Sequence, residues 1–407
     1  MGDNLNIRSK SYYNPPTLLA RQAISVFYFA KIVGWKKLPQ WLLKLPRMLR
    51  ISSGAFGMGC IGFPIHPVWE VTSACNLNCK HCHASGGKPT MDELTTKEGR
   101  DLIKQIAAIN EFRMLVLSGG EPLVRPDIFE LISYAVGLGL EVSIATNATL
   151  ITPEVASKLR EAGAVNIAIG LDGATEKTHD MIRSTPGCFK QTINGIKATK
   201  DAGLGLQINI TMMKHNYYEI PALLDMANEL GADIVLLYNL VPEGRGMEDE
   251  IELSRDQFSD IINFISKKQR SIVPIVEPTC SPQYWAYLVN KFHDNGNAHN
   301  GHRPGRLATL AFKGCAAGNG MCYVKPDGEV WPCPFVPVSG GNIRQTALRE
   351  IWESSEVFVD LKTRDKLKGE CGRCANKNIC GGCRGRAFAH YGDYLQEDPF
   401  CFINLHN

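Results

Sequence analysis

Three cysteines fall within eight residues, Cys75-Asn-Leu-Asn-Cys79-Lys-His-Cys82, directly after the strand-like run at 66–72. A loop this tight can aim three sulfurs at one point. Three thiolates leave one iron of a four-iron cluster with an open coordination position, and that is where a chelating ligand can bind and react. Zinc is the main alternative for clustered cysteines. Structural zinc sites, however, are closed by four ligands, usually presented as two short pairs, and C-x3-C-x2-C offers no fourth. Unrelated core cysteines would be scattered singly.

Other stretches could support the same chemistry. Ser118-Gly119-Gly120-Glu121-Pro122 follows the next strand-like run. Glycines there let the backbone approach a ligand, and carbonyls beside a carboxylate suit a ligand ammonium, although taken alone the segment reads as an ordinary turn. Thr146-Asn147 and Leu171-Asp172-Gly173 end two further strands, and Leu240 follows a sixth. Near the C-terminus stand Cys315, Cys322, Cys333, Cys371, Cys374, Cys380, Cys383 and Cys401, with Gly328-x4-Cys333 and a C-x2-C-x5-C-x2-C run from Cys371. Eight thiols divide into two four-ligand sites, and on spacing alone two zinc ions compete with iron-sulfur clusters.

The first loop, with His81 in the slot before its third cysteine, resembles the motif of the radical S-adenosylmethionine (SAM) superfamily, and the Gly119–Pro122 segment is similar to the one that holds the methionine amino group of SAM. The resemblance implies an α/β fold, a partial (β/α)6 barrel, with a [4Fe-4S] cluster on Cys75, Cys79 and Cys82. It also implies SAM contacts at Gly119, Gly120, Glu121, Pro122, Asn147 and Asp172, with Leu240 against the adenine. Gly170 stands where relatives often carry a SAM-binding serine, so Asn209, Thr211 or Arg183 would have to serve. The C-terminal cysteines resemble a SPASM domain with two auxiliary [4Fe-4S] clusters. One would take Cys315, Cys322, Cys333 and Cys383, the other Cys371, Cys374, Cys380 and Cys401. Relatives have C-x3-C where this chain has Cys380-Gly-Gly-Cys383. Cys60, Cys188 and Cys280 are left over: Cys188 reads as core filler, and Cys280 as core or as lining of the active site.

The activity implied is reductive cleavage of SAM to a 5′-deoxyadenosyl radical, followed by hydrogen abstraction and net oxidation of a substrate, with flavodoxin or ferredoxin as electron donor. In motif detail the chain looks most like the heme and heme d1 synthesis subgroup, which acts on tetrapyrrole propionates. Arg183, Arg245, Arg384 and Arg386 are candidate carboxylate partners, and His179, His215 or His390 candidate ligands of a porphyrin iron. A maturase acting on a ribosomally made peptide is the competing reading. A non-catalytic carrier of three clusters is a third, and it leaves Gly119–Pro122 and the open iron unexplained.

The positioning elements follow from periodicity. Strands are predicted at 68–72, 113–117, 141–145, 165–171, 205–211 and 233–238, and helices at 96–109, 126–136, 153–161, 189–201, 220–230 and 254–267. Alternation of this kind gives a parallel sheet with right-handed crossovers and working residues at the carboxyl ends of its strands. The chain divides into an extension at 1–65, a barrel at 66–280, a linker at 281–310 and a cysteine-rich unit at 311–407.

Its 407 residues carry a net charge of only +3, which argues against nucleic-acid binding. No acidic residue lies between Asp3 and Glu70, whereas nine lysines and arginines do. Residues 18–50 alternate these with Trp, Phe and Leu, as amphipathic helices do. Such helices suit packing on the body of the protein or peripheral contact with an anionic membrane. Fourteen cysteines without a secretory signal point to metal or redox use in a reducing, cytoplasmic compartment.

Overall fold

The computed structural model describes residues 66–112, 114–247, 251–293 and 314–403. The extension with its basic stretch at 18–50 and Cys60, and most of the expected linker, lie outside them.

Seven parallel strands form the body: β1 (His66–Glu70), β2 (Met114–Ser118), β3 (Glu141–Thr146), β4 (Ala164–Gly170), β5 (Gly205–Met212), β6 (Ile234–Asn239) and β7 (Ile275–Thr279), paired in that order. The six predicted strands are all present. The seventh was hidden by Glu277 and Pro278, and it lies at the sheet edge, where a residue without an N–H is tolerated. On the other side β8 (Met321–Val324) pairs in parallel with β1 and continues into the antiparallel β9 (Glu329–Trp331) and β10 (Gly341–Asn342), so the cysteine-rich unit extends the same sheet.

Strand residues alternate between two environments. Trp69, Leu115, Leu117, Val142, Ile144, Ile167, Ile169, Leu206 and Ile208 face the helices and form the main core. Val68, Val116, Ala145, Asn166, Ala168, Gln207 and Asn209 face a cavity that the curled sheet encloses. The helices are α1 (Thr96–Ala108), α2 (Ile128–Gly137), α3 (Pro153–Glu161), α4 (Glu176–Arg183), α5 (Cys188–Asp201), α6 (Ile220–Glu229), α7 (Arg255–Lys268), α8 (Gln283–His293), α9 (Leu348–Ser354), α10 (Glu356–Lys362), α11 (Gly369–Arg373) and α12 (Arg384–Tyr391). Reciprocal side-chain caps start α1 at Thr95/Glu98 and α7 at Ser254/Gln257. α1 lies close enough to the sheet that a Cβ on Gly99 would stand 2.5 Å from the Trp69 ring. α4 escapes notice because Glu-Lys-Thr-His-Asp-Met-Ile-Arg is short and carries only two apolar residues, Met181 and Ile182, too few to show a helical repeat. Residues 283–293, read from the sequence as the start of a linker, are helix α8.

Candidate functional site

The loop after β1 is held by its neighbours. The Cys75 N–H donates to Gly87 O (2.8 Å) and the Lys80 N–H to Ile182 O (3.0 Å). Arg245 clasps the far side, donating through Nε to Cys79 O (2.9 Å) and through Nη1 to Gly86 O (3.0 Å). The three sulfurs pack together with Leu77 and Cys188. Donors point at them: Leu77 N–H to Cys75 Sγ (3.4 Å) and Arg183 Nη1 to Cys79 Sγ (3.7 Å). Burial pushes the Cys75 thiol up to about 11 and raises Cys79 too, with Arg183 opposing it there. These thiols give up their protons on metal binding, which the N–H and guanidinium donors favour.

Gly119 and Gly120 are required by close approach. Gly119 sits at φ 140°, and a Cβ on it would stand 2.4 Å from Thr72 O; one on Gly120 would stand 2.3 Å from Ala74 O. The two loops therefore meet backbone to backbone, joined by Gly120 N–H to Thr72 O and Glu121 N–H to Ala74 O (both 2.8 Å). Both glycines line the cavity. Glu121, by contrast, is fully buried behind it and does not line it. Oε1 accepts from Thr146 Oγ1 (2.7 Å) and Leu123 N–H (3.1 Å), and Oε2 from Asn147 N–H (2.8 Å). It ties β2 to β3, and Pro122 opens the turn that follows. Asn147 reaches the cavity and donates through Nδ2 to Asn76 Oδ1 (2.8 Å).

Asp172, also fully buried, accepts from the Thr211 N–H at Oδ1 (2.7 Å), while Oδ2 meets Arg183 at 2.7 Å and His81 Nε2 at 3.4 Å. Burial opposes charge on both members of the ion pair, but mutual attraction outweighs it: Asp172 lies below its usual value and Arg183 above. Gly170 makes room for this pair, since a Cβ there would stand 2.2 Å from the guanidinium. Arg183, Asn209 and Thr211 all reach the cavity, as does Leu240.

Of the C-terminal cysteines, Cys371, Cys374, Cys380 and Cys401 surround a small void. Backbone N–H groups of Asp398, Asn376 and Gly382 point at Cys371, Cys374 and Cys380, each at 3.4 Å, and Arg384 Nη2 is 3.6 Å from Cys371. Cys315, Cys333 and Cys383 face the main cavity, with the Arg386 N–H 3.4 Å from Cys383. Cys322 does not join them. On β8 the side chains of Met321 and Tyr323 face the cavity, so Cys322, between them, faces the opposite core. Cys280 lines the cavity instead.

The cavity holds about 300 Å³ and spans the space from Cys75, Cys79 and Cys82 to Cys315, Cys333 and Cys383. Its walls are mainly apolar or aromatic: Val68, Met114, Val116, Ala168, Met321, Tyr238, Tyr323 and Phe335. Arg183 and Arg245 reach it. Arg384 and Arg386 are fully buried away from its substrate-sized space, hydrogen-bonded to carbonyls. His179, His215 and His390 do not line it either; His81 and His83 do. Burial lowers both of the latter to about 4, so they stay neutral. His83 packs edge-on to Phe335 (5.3 Å) and lies 3.5 Å from Tyr323 Oη. The signal for it lay in the cysteine motif itself, one residue past Cys82.

The donor sets fit iron-sulfur clusters. Each set consists of cysteines alone, the donor type of such clusters. The sulfurs stand around voids with N–H groups aimed at them, an arrangement that suits a multi-iron cluster.

Comparison with known proteins agrees. Residues 69–227 match the profile of the Radical SAM superfamily, and residues 315–375 that of the SPASM iron-sulfur cluster-binding domain. The chain is 42% identical to the AdoMet-dependent heme synthase of Methanosarcina barkeri over 82% of its length and 95% of the relative's. It is 32% identical to the mycofactocin maturase MftC of Mycobacterium tuberculosis over 83% of each chain. Its fold is that of SuiB from Streptococcus suis bound to S-adenosylmethionine (TM-score 0.65, 19% identity, 84% of this chain and 78% of that one). The zinc and non-catalytic carrier readings therefore give way. The chain belongs to the radical SAM superfamily, as an enzyme that uses S-adenosylmethionine, a [4Fe-4S] cluster and auxiliary iron-sulfur clusters in a C-terminal SPASM domain.

Proposed function

We propose that the enzyme oxidatively decarboxylates propionate side chains of an iron tetrapyrrole. The observation that carries this reading is the cavity: an apolar, aromatic-walled space between the two cysteine-lined ends, with neutral His81 and His83 in its lining and Arg183 and Arg245 reaching its edge. A flat, largely apolar ring with a few carboxylates suits such walls, with the imidazoles offered to its iron and Arg245 to its propionates, Arg183 being already ion-paired with Asp172. The 42% identity to a heme synthase supports the same substrate class.

Cys75, Cys79 and Cys82 would hold the cluster with the open iron, Gly119, Gly120, Asn147 and Leu240 would contact SAM, and Glu121 and Asp172 would fix the loops that carry them. When bound, SAM and the reduced cluster supply the 5′-deoxyadenosyl radical that takes a hydrogen atom from the substrate. Phe335, Tyr323 and Tyr238 exclude water from that space. The C-terminal cysteines would hold the auxiliary clusters, which would supply an acceptor for the electron that decarboxylation to carbon dioxide releases, and a ferredoxin- or flavodoxin-type partner would supply the electron needed at the first site. Residues 18–50 would supply any contact with an anionic membrane; cosedimentation of the full chain with anionic vesicles tests that part. Among the described residues no helix is long and apolar enough to cross a membrane.

The main test is an anaerobic absorbance titration with iron-coproporphyrin, followed by mass spectrometry of turnover with SAM. A shifted Soret band and loss of carboxyl groups alongside 5′-deoxyadenosine are expected. Absence of any spectral change, with 5′-deoxyadenosine formed only when a peptide is added, would leave the maturase reading that the MftC relationship favours.

A further inference from the structure

The eight C-terminal thiols do not divide as their spacing suggests. Cys371, Cys374, Cys380 and Cys401 make one complete set, whereas Cys315, Cys333 and Cys383 make only three. Cys322 cannot complete the second set from its place on β8: moving its sulfur to the cavity would require a one-residue slip, which would turn Tyr323 into the core and break its hydrogen bond to Glu70 (2.9 Å). The Cys322 side chain belongs to the main hydrophobic core.

A different cysteine stands in the vacant quarter. Cys280 follows the last residue of β7, at the carboxyl end of the sheet, and lines the cavity alongside Cys315, Cys333 and Cys383. Its neighbour in sequence Pro282 lines the same wall, so the turn that leaves β7 brings the barrel to the cysteine-lined end of the cavity. The Cys280 backbone is left-handed, φ 57°, an unfavourable conformation for a residue with a side chain, of the kind that persists at functional positions. Arg386, fully buried, fixes that peptide: Nη1 donates to Cys280 O (3.1 Å) while its own N–H points at Cys383 Sγ. One residue thus holds the barrel-borne and the SPASM-borne cysteine side by side.

We infer that Cys280, contributed by the barrel, is the fourth ligand of the auxiliary iron-sulfur cluster held by Cys315, Cys333 and Cys383, and that Cys322 is a core residue. The inference rests on the auxiliary clusters of the SPASM domain. On binding, each thiol releases its proton to solvent and no electron changes hands. The cluster would then be anchored to the end of β7 as well as to the C-terminal unit, beside the substrate space.

Full-length protein with Cys75, Cys79 and Cys82 all replaced by Ala isolates the C-terminal sites. Reconstituted anaerobically, this parent should carry about eight irons, four per cluster. Cys280→Gly removes the sulfur and suits the left-handed backbone, so it separates ligation from folding; iron should fall to about four, or the cluster signal should change in Mössbauer and electron paramagnetic resonance spectra. Cys322→Ala should keep about eight irons and the parent spectra. Retention of eight irons with unchanged spectra in Cys280→Gly overturns the assignment, as does loss of four in a folded Cys322→Ala. A parent with only about four irons would instead sink the two-cluster reading beneath it, before any variant at position 280 is made.

Discussion

Asp172 illustrates how one carboxylate organises a buried site. It neutralises Arg183 beside Cys79, meets His81 of the cysteine loop and accepts the Thr211 N–H. Asp172→Asn keeps the shape but strands the guanidinium, so stability should fall by about 3–5 kcal/mol in denaturant unfolding. His179 sits behind the pair, nearly fully buried, its Nδ1 accepting the Asp172 N–H (3.2 Å), a bond that requires neutral imidazole. Burial, helped by Arg183, lowers it from 6.5 to about 4. The folded value lies below the unfolded one, so the unfolded chain takes up the proton first. The stability contribution is complete above pH 6.5 and is lost as pH falls from there to about 4, by on the order of 2–3 kcal/mol. His179→Asn, which keeps an acceptor but cannot titrate, should flatten unfolding free energy against pH across that window.

At the scale of elements, the loops after β1 and β2 behave as one unit because their backbones touch. Gly120→Ala would set a methyl 2.3 Å from Ala74 O, so one of the two loops must move. We expect a lower melting temperature and loss of about four irons from the reconstituted enzyme, with the C-terminal clusters retained. An iron count matching the unsubstituted protein would show that the cysteine loop tolerates the shift. Gly99→Ala, by contrast, acts far from the site: its methyl presses on Trp69, which should lower stability by about 1–3 kcal/mol with SAM cleavage unchanged.

For the whole molecule, the joint between barrel and C-terminal unit is both a shared sheet and a buried arginine. β8 pairs with β1, and Arg386 donates to the carbonyls of Cys280, Asn239 (3.2 Å) and Leu240 (3.4 Å) while facing Asp398 and Glu252, each at 3.5 Å. Arg386→Met removes the charge but strands Asp398, which is also buried, and should destabilise by about 3–5 kcal/mol. Limited proteolysis should then cut between the two units faster than in the unsubstituted protein.

Much was legible in the chain because it is local. The three-cysteine loop, Gly119–Glu121 and six of seven parallel strands announce themselves through spacing and alternation that need no distant partner. β7 stayed hidden because an edge strand tolerates Pro278 and the buried Glu277, which a central strand pattern would exclude. Glu121 and Asp172 are near the expected place yet face inward, holding loops together, and His83, one residue past the cysteine motif, lines the cavity. The sequence by itself determined which thiols exist and that they come in groups. Which of them share a void was decided only by tertiary structure: strand pleating sends Cys322 and Tyr323 to opposite faces, and sheet curvature carries Cys280 from the end of β7 to Cys383.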